Sequence, residues 1–296
     1  MTDISPPLTI LARAKVNLYL HVAAPDAKNY HPLQSLVMFA DVGDEVALRP
    51  KSVPQAPGLT CDGPFADGVP TDGTNLIVKA VRRFEMVTGV NIDRHDIHLT
   101  KNLPVASGLG GGSADAGAVL QLLRAHYAPD MTDEALEAIA TTTGADGAMC
   151  LWSQSTLAEG YGERLTKLAL PAVPAVLINP GIACSTPEVY GQYDRLGQFA
   201  QIEASTPFRS IINIDHLLHA LSETRNDLEA PAVHLHPQIG DLLSRLSDEP
   251  ETRMARLSGS GATCFALCDT LKDAHSLAAR LSAQYPQTWV RACTLS

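Results

Sequence analysis

A dense run of glycines is the strongest chemical signal in the sequence. The segment Gly108–Ser113 reads Gly-Leu-Gly-Gly-Gly-Ser and leads directly into a stretch of helical character. Glycine permits positive φ and lets ligand atoms approach the backbone closely, and successive N–H groups in such a loop form an anion-binding nest. The N-terminus of the following helix adds unpaired N–H donors and the positive end of its dipole. The segment therefore predicts a loop that binds a di- or triphosphate; the alternative is a plain tight turn in which Ser113 caps the helix.

The phosphate-binding patterns of several other folds do not fit this loop. A P-loop needs a Gly-Lys pair, which the sequence lacks. The Rossmann pattern GxGxxG fails at Ser113, which stands where the third glycine belongs. The HRD and DFG motifs that accompany a protein-kinase loop are missing, and neither Ser113 nor Ser260 lies in a GxSxG hydrolase elbow. The pattern therefore indicates a phosphate binder of another class.

Three further short elements carry residue types suited to chemistry. Ser258–Gly261 is a second glycine turn between two apolar runs, either a simple hairpin turn or a second loop that faces phosphate. Lys15 and Asn17 alternate with apolar residues, so they share one face of a predicted strand. Gly144–Asp146 follows a predicted helix. Taken alone, a lone lysine on a strand is more often solvated, and a lone aspartate after a helix is more often a cap.

Strand and helix patterns along the chain must position these elements. Alternation predicts a strand within Leu8–Val22 and further strands over 33–40 and 45–49, separated by a turn at 41–44, and over 96–99, 175–178, 254–257, 262–267 and 288–292. Apolar spacing predicts helices over 75–88, from near 113 to 123, over 133–143 behind an N-cap at Thr132, and over 271–283. Strands and helices without regular βαβ alternation favour an α+β fold. We place a domain boundary near residue 158, giving domains 1–158 and 159–296.

Composition and charge exclude several classes of function. The 296 residues include 22 Lys and Arg and 32 Asp and Glu, for a net charge of −10, which argues against binding of nucleic acid or anionic membranes. Six cysteines form no CxxC pair, so a zinc ribbon is not indicated, and Cys264 and Cys268 are predicted core residues. Neither a signal peptide nor an apolar stretch of membrane-spanning length is present. We expect a cytoplasmic protein with small-molecule substrates and no obligate protein partner.

Taken in order, these elements resemble the GHMP kinase superfamily, named for its galacto-, homoserine, mevalonate and phosphomevalonate kinases. Pro104–Ala114 is similar to its phosphate loop PxxxGLGGGSA, and Leu257–Leu267 to its C-terminal glycine motif. The resemblance is closest to the branch that acts on a cytidylyl diphosphate alcohol, and it spans nearly the whole chain. The segments that carry it are AKVNLYL at 14–20, NYHPLQSL at 29–36, TNLIVKA at 74–80, LPVASGLGGGSADA at 103–116, GAD at 144–146, NPG at 179–181, STPEVY at 185–190 and RNDLEAPA at 225–232.

Three positions depart from the pattern of that branch. Lys28-Asn29 replaces the usual Asp-Gly before the Tyr-His pair, which predicts an altered loop on the substrate side. Gly147-Ala148-Met149 follows GAD where Val-Pro-Val or Val-Pro-Phe is usual, so the backbone that supports Asp146 is expected to differ. Gly117 stands where alanine is usual, a change expected to weaken its helix by about 1 kcal/mol.

The resemblance implies both a fold and an activity. The fold has an N-terminal nucleotide-binding α/β domain and a C-terminal ferredoxin-like α/β domain. The activity moves the γ-phosphoryl group of ATP, with Mg²⁺, to the tertiary 2-hydroxyl of a methylerythritol linked to cytidine diphosphate, on the non-mevalonate route to isoprenoid precursors. A hydroxyl nucleophile needs a proton acceptor, for which Asp146 is the candidate. Lys15 would orient the hydroxyl and offset charge on the transferred group.

The resemblance also assigns binding residues. Candidates for ATP are Pro104, Gly108, Leu109, Gly110, Gly111, Gly112 and Ser113, with Asn75 and Leu76 toward the adenine and Ser113 also as a candidate Mg²⁺ ligand. Candidates for the second substrate are Asn17, Tyr30, His31, Thr186, Tyr190, Gly259, Ser260 and Gly261. Tyr30 and Tyr190 match an aromatic pair that stacks on cytosine, and His31 would meet the edge of the base.

Two other functions remain open from the sequence. A GHMP-fold protein could bind its ligands without catalysis, as a sensor or regulator; the presence of both Lys15 and Asp146 argues against this. The chain could instead phosphorylate another small alcohol, such as mevalonate or homoserine. The Tyr30, His31 and Tyr190 set argues for a substrate that carries a nucleobase.

Overall fold

Two long strands open the chain, and short strands and helices follow them. The computed structural model describes residues 9–52, 58–144, 146–199, 201–202, 208 and 211–296. Its strands are β1 (Thr9–Val22), β2 (Leu33–Pro50), β3 (Leu59–Asp62), β4 (His95–Thr100), β5 (Thr156–Gly160), β6 (Arg164–Lys167), β7 (Val173–Asn179), β8 (Met254–Leu257), β9 (Cys264–Leu267) and β10 (Trp289–Leu295). Its helices are α1 (Leu76–Thr88), α2 (Gly111–Tyr127), α3 (Asp133–Thr141), α4 (Gly147–Trp152), α5 (Thr186–Leu196), α6 (Ile214–Ser222), α7 (Glu229–Leu235), α8 (Pro237–Asp248) and α9 (Leu271–Gln284). The mixture confirms the α+β class.

The first two strands each depart from the sequence-based prediction, β1 in the burial of its polar face and β2 in its length. In β1 the polar face is buried along with the apolar one, and Lys15 is only 9% exposed, so the solvated-lysine alternative does not hold. The predicted turn at 41–44 is wrong, because β2 runs unbroken from Leu33 to Pro50. Asp44, one of the polar residues that signalled a turn, is fully buried and pairs with Lys101. A polar residue in this strand therefore serves a buried ion pair rather than a loop.

The chain divides into two compact units, each built from several segments. The first unit contains residues 1–14, 43–105 and 110–153, and the second contains 15–42, 106–109 and 154–296. The boundary that we placed near residue 158 stays a prediction, since β1, β2 and the glycine loop each pass from one unit to the other along the chain.

In its described residues, the first unit combines a small sheet with helices α1 to α4. The end of β2 pairs antiparallel with β4, and β3 pairs parallel with β4. Helices α1 to α4 pack on one another around α2. Asn75 caps α1 by accepting a hydrogen bond from the Ile77 N–H, and Thr132 caps α3 as predicted.

Two glycines in the first unit allow its helices to approach closely. A Cβ on Gly117 of α2 would lie 2.9 Å from the Leu151 Cα of α4, and a Cβ on Gly147 would lie 2.0 Å from the Ala140 carbonyl oxygen of α3. Both distances are shorter than van der Waals contact. Gly117 lowers the intrinsic stability of α2, but the close packing of α4 requires a residue without a side chain at this position, because alanine would force α4 to shift.

The second unit has the ferredoxin-like order that the resemblance implied. Its strands lie in the order β10-β7-β9-β8, with all neighbours antiparallel. Helix α8 precedes β8 and α9 precedes β10, and both pack on these strands, which completes the βαββαβ arrangement. On the far side of β10, β2 pairs antiparallel with β5, and β5 with β6.

The cysteines of the second unit confirm their predicted core role. Cys264 and Cys268 are fully buried free thiols in the core that α8 and α9 cover. Burial raises the pKa of Cys268 to about 12. Such thiols remain protonated and unreactive at neutral pH.

Candidate active site

Lys15 and Asn17, which were predicted to share one face of β1, begin a chain of buried hydrogen bonds in the second unit. The Lys15 ammonium donates to Asn17 Oδ1 at 2.6 Å, and Asn17 Nδ2 donates to Ser35 Oγ at 2.8 Å. Ser35 Oγ in turn donates to the Tyr19 carbonyl at 2.6 Å. Lys15, Asn17 and Ser35 are therefore linked in one buried network, in which a neutral amide oxygen accepts a hydrogen bond from the Lys15 ammonium.

The two glycine motifs meet beside this pair. The Asn17 N–H donates to Ser258 Oγ at 3.1 Å, and Ser258 Oγ donates to the Gly108 carbonyl at 3.2 Å. The Lys15 N–H donates to the Leu109 carbonyl at 2.9 Å. The start of the phosphate loop, the Lys15 strand and the Ser258–Gly261 turn therefore form one arrangement.

Glycine is required where these segments touch. Gly108 has φ 78, and a Cβ there would lie 2.5 Å from the Ser258 carbonyl oxygen. Gly259 has φ 57, and a Cβ there would lie 3.1 Å from Asn17 Oδ1 and 3.7 Å from Lys15 Nζ. The turn is thus more than a hairpin connection, because its backbone lies against the polar face of β1.

Residue Asn226 supports the second turn and was not among the predicted site residues. Its Nδ2 donates to the carbonyls of Leu257 and Gly259 at 2.9 and 2.7 Å, and its side chain is buried. The RNDLEAPA match at 225–232 was the signal that could have identified it. Thr186 also reaches this turn, with 2.8 Å between Thr186 Oγ1 and Ser260 Oγ, so both hydroxyls lie together as a substrate-contact role would need.

The first unit holds the rest of the predicted phosphate loop. Gly110 has φ 65 and forms the N-cap of α2 without a side-chain cap, so the first turn of α2 offers backbone N–H groups to a ligand. The Leu76 Cδ1 lies 3.5 Å from where a Gly112 Cβ would be, which brings the start of α1 to the loop. Both polar atoms of the Asn75 side chain form hydrogen bonds within the protein: Oδ1 accepts from the Ile77 N–H, and Nδ2 donates to the Pro70 carbonyl at 2.7 Å. Contacts of Asn75, Leu76 and the buried Pro104 with ATP stay predictions.

The segment that carries the predicted base lies beside this loop. A Cβ on Gly144 would be 3.6 Å from Ser113 Oγ, so Gly144 is adjacent to the first turn of α2. Asp146 is the N-cap residue of α4, with φ −89, ψ 5 and no side-chain capping bond to that helix. Asp146 thus occupies a cap position without a side-chain capping bond, and its role as the base stays a prediction. Gly147-Ala148-Met149 begins α4. Asp146 belongs to the first unit and Lys15 to the second, so their pairing stays a prediction.

A buried ion cluster beneath the loop was missed by the sequence analysis. The Lys101 ammonium donates to Asp44 Oδ2 at 2.5 Å and to Asp115 Oδ2 at 2.8 Å, and all three residues are buried. A Cβ on Gly111 would lie 3.0 Å from Lys101 Nζ, so the cluster supports the first turn of α2. Burial raises the pKa of the Asp115 carboxyl above its ordinary value. The signal was Asp115 itself, an acidic residue among small apolar ones at the start of α2.

The predicted cytosine residues all lie in the second unit, where His31 contacts Tyr190 and Tyr30 contacts Tyr161. His31 packs against Tyr190 with ring centroids 5.2 Å apart, and its Nδ1 and Nε2 lie 2.9 Å from the Ala23 carbonyl and 3.2 Å from Asp194 Oδ1. Tyr30 packs edge-on against Tyr161 at 6.0 Å and is 64% exposed. The His31 ring is thus fixed by protein atoms, and its direct contact with a base stays a prediction.

The Lys28-Asn29 departure leaves the substrate-side loop in a glycine-like conformation. Asn29 has φ 64, in the left-handed region that glycine occupies freely and that asparagine tolerates better than most residues. At this position the backbone is therefore one that glycine would also adopt, and the effect of the departure on the substrate-side loop stays a prediction.

Comparisons with known proteins identify the family of the chain. The description "GHMP kinases N terminal domain" matches residues 75–154, and "GHMP kinases C terminal" matches residues 202–287. A protein of Caulobacter vibrioides named 4-diphosphocytidyl-2-C-methyl-D-erythritol kinase is 48% identical over 98% of this chain and 99% of its own. The chain belongs to the GHMP kinase family.

Solved structures of the family extend the comparison. A crystal structure of a 4-(cytidine 5'-diphospho)-2C-methyl-D-erythritol kinase superposes with a TM-score of 0.77 at 33% identity, over 98% of this chain and 99% of that one. A homoserine kinase of Cytophaga hutchinsonii reaches a TM-score of 0.74 at 19% identity, over 99% and 96% of the two chains, and this likeness concerns the fold alone.

As a GHMP kinase, the chain uses ATP as co-substrate and acts on small molecules. In the part of the chain that the structure describes, no helix is both long and apolar enough to cross a membrane.

Proposed function

We propose that this GHMP kinase transfers the γ-phosphoryl group of ATP to the 2-hydroxyl of 4-diphosphocytidyl-2-C-methyl-D-erythritol, on the methylerythritol phosphate route to isoprenoid precursors. The observation that carries the proposal is the 48% identity to a kinase of that name over 98% of the chain. The products are the 2-phosphate and ADP. The cytoplasmic location stays a prediction.

In the proposed reaction, Asp146 accepts the proton of the attacking hydroxyl. The alcohol oxygen forms a bond to the γ-phosphorus, the bond between that phosphorus and the β–γ bridging oxygen breaks, and ADP leaves with the bond's electron pair. Because such transfers depend mainly on alignment and charge stabilisation, Lys15 contributes by orienting the hydroxyl and attracting the equatorial oxygens. Its bond to Asn17 Oδ1 supports this role, since a neutral amide aims the ammonium without cancelling its charge.

The glycine loop would hold the ATP phosphates. Gly108 and Leu109 present backbone next to Lys15, and Gly110 to Ser113 present the N-terminus of α2, where N–H groups favour anions. Ser113 offers a hydroxyl oxygen, the kind of ligand that Mg²⁺ accepts together with phosphate oxygens. When bound, Mg²⁺ would neutralise charge on the β- and γ-phosphates.

The assay that tests the proposal measures ADP release with three acceptors: the cytidylyl substrate, mevalonate and homoserine. We expect turnover with the cytidylyl substrate alone. Turnover with mevalonate or homoserine in its place would overturn the assignment of substrate, and ligand binding with no ADP release from any acceptor would indicate a sensor.

Replacing Tyr190 by alanine is expected to raise KM for the cytidylyl substrate. Stacking on a base is worth about 1–3 kcal/mol, which corresponds to a roughly 5- to 150-fold change. The KM for ATP should stay the same, because the loop that holds its phosphates is a separate element. Steady-state kinetics with each substrate varied in turn measures both values.

Tyr285→Ala is a matched control for this variant. Tyr285 is also half-buried in the second unit, but it lies at the end of α9 against Arg245. It should change neither KM. A Tyr190→Ala enzyme with weakened ATP use and normal use of the cytidylyl substrate would show that the two sites are reversed.

Substitutions at Asn29 test the conformation of the substrate loop. Asn29→Gly keeps the left-handed backbone freely and should leave KM for the cytidylyl substrate within about twofold of the original. Asn29→Val should raise that KM, because a β-branched residue at φ 64 costs about 1–3 kcal/mol of strain and shifts the neighbouring Tyr30. Equal KM values for the two variants would show that the loop conformation does not matter for binding.

A further inference from the structure

The loop that carries Tyr30 is closed by one carboxylate. Asp26 Oδ1 accepts the backbone N–H groups of Lys28 and Tyr30 at 2.8 and 3.0 Å. The backbone adds a further pair of bonds, since the Asp26 N–H donates to the Tyr30 carbonyl at 2.8 Å and the Asn29 N–H to the Asp26 carbonyl at 2.9 Å. Asp26 therefore fixes the backbone from which the Tyr30 ring projects.

The second oxygen of this carboxylate ties the loop to another part of the second unit. Tyr161 donates its hydroxyl to Asp26 Oδ2 at 2.6 Å, although the two residues are 135 positions apart. Tyr161 lies in the tight connection between β5 and β6, and its own N–H donates to Glu163 Oε2 at 2.6 Å. The hydrogen bond between the Tyr161 hydroxyl and Asp26 lowers the pKa of Asp26 and raises the pKa of Tyr161, as expected when a phenol donates to a carboxylate.

The same tyrosine also contacts the Tyr30 ring. The two ring centroids are 6.0 Å apart at an interplanar angle of 69°, an edge-to-face pair. Both rings are largely exposed, Tyr30 at 64% and Tyr161 at 47%. Two exposed aromatic rings, held through a shared carboxylate rather than by core packing, offer π-faces on which a flat ligand ring could stack.

We propose that Tyr161 and Asp26 are positioning residues that hold the Tyr30 ring ready to stack on the base of the cytidylyl substrate. The inference rests on the proposed function. Ordering a loop on binding costs free energy, and a loop that is already ordered avoids that cost. Tyr161 thereby adds to substrate affinity through Tyr30 and leaves the reacting atoms and ATP untouched.

The test is a double-mutant cycle between Tyr161 and Tyr30. Tyr161→Phe keeps the ring contact and removes only the hydroxyl that reaches Asp26. We expect it to raise KM for the cytidylyl substrate roughly three- to tenfold, the scale of one lost hydrogen bond, with kcat and the KM for ATP unchanged. In a Tyr30→Ala background, Tyr161→Phe should have no further effect, because the ring that it positions is gone.

Tyr285→Phe is the matched control for the lost hydroxyl. Tyr285 Oη accepts a hydrogen bond from Arg245 at 2.6 Å in the same unit, so its removal also deletes one surface phenol contact but should leave every kinetic constant unchanged. A Tyr161→Phe enzyme with normal KM, or with the same rise in both backgrounds, would overturn this inference alone. If Tyr30→Ala itself leaves KM unchanged, the cytosine site is wrongly assigned and this inference falls with it.

Discussion

Replacing Asp146 with asparagine is expected to lower turnover roughly 10²-fold or more, the scale of a general-base contribution. Asparagine keeps the size of the side chain but cannot accept the proton of the attacking hydroxyl. The fold should persist, because Asp146 makes no side-chain capping bond to α4 that the change could remove. ATP binding should also persist, since the phosphate loop is intact. Single-turnover measurement of phosphoryl transfer, together with calorimetry of ATP binding, separates the two effects.

An exposed carboxylate elsewhere in the same unit provides the control for this change. Asp130→Asn alters the net charge of the first unit by the same amount, in the connection between α2 and α3, and should leave turnover unchanged. Wild-type turnover in a folded Asp146→Asn enzyme would mean that Asp146 has a structural role only, and the mechanism would then need another proton acceptor.

Replacing Gly110 with valine is expected to abolish measurable ATP binding. Gly110 has φ 65 at the N-cap of α2, a conformation that a β-branched residue strongly disfavours. The chain at this point would move toward negative φ, and the N–H groups of the first turn of α2 would turn away from the phosphates. Calorimetric titration with ATP measures the loss directly.

A second helix end in the same unit controls for backbone strain. Gly89 has φ 71 at the C-cap of α1, and a Cβ there would meet nothing within 4 Å. Gly89→Val should therefore lower stability by a similar amount without changing ATP affinity. If Gly110→Val bound ATP normally, Gly108–Ser113 could not be the phosphate loop, and the ATP site would have to be sought elsewhere.

Local chemistry accounts for what the sequence predicted well. The glycine cluster before a helix, the alternation around Lys15 and Asn17, and the cap residues Asn75 and Thr132 all depend on neighbours within a few positions. Such patterns survive in any context that lets the segment fold. They were enough to locate most helices and strands and to identify the family, and they predicted the phosphate loop.

Contacts between distant segments lay outside the reach of those patterns. Asn17 meets Ser258 across 241 positions, and Tyr161 meets Asp26 across 135; no local periodicity encodes either pairing. The predicted turn at 41–44 failed for the same reason, because Asp44 is stabilised by Lys101, 57 positions away. A buried carboxylate is tolerated only with such a partner, so its burial cannot be predicted until the partner is known.

The sequence by itself thus determined which residues could bind phosphate and accept a proton, since these capacities belong to the residue types. Only the tertiary structure decided how the residues of each unit are held. It supplied the Ser258 hydroxyl that meets the Asn17 backbone, the Lys101–Asp44 ion pair under Gly111, and the Tyr161 hydroxyl that holds Asp26. Each of these depends on a distance of about 3 Å between atoms whose separation along the chain has no bearing on their separation in space.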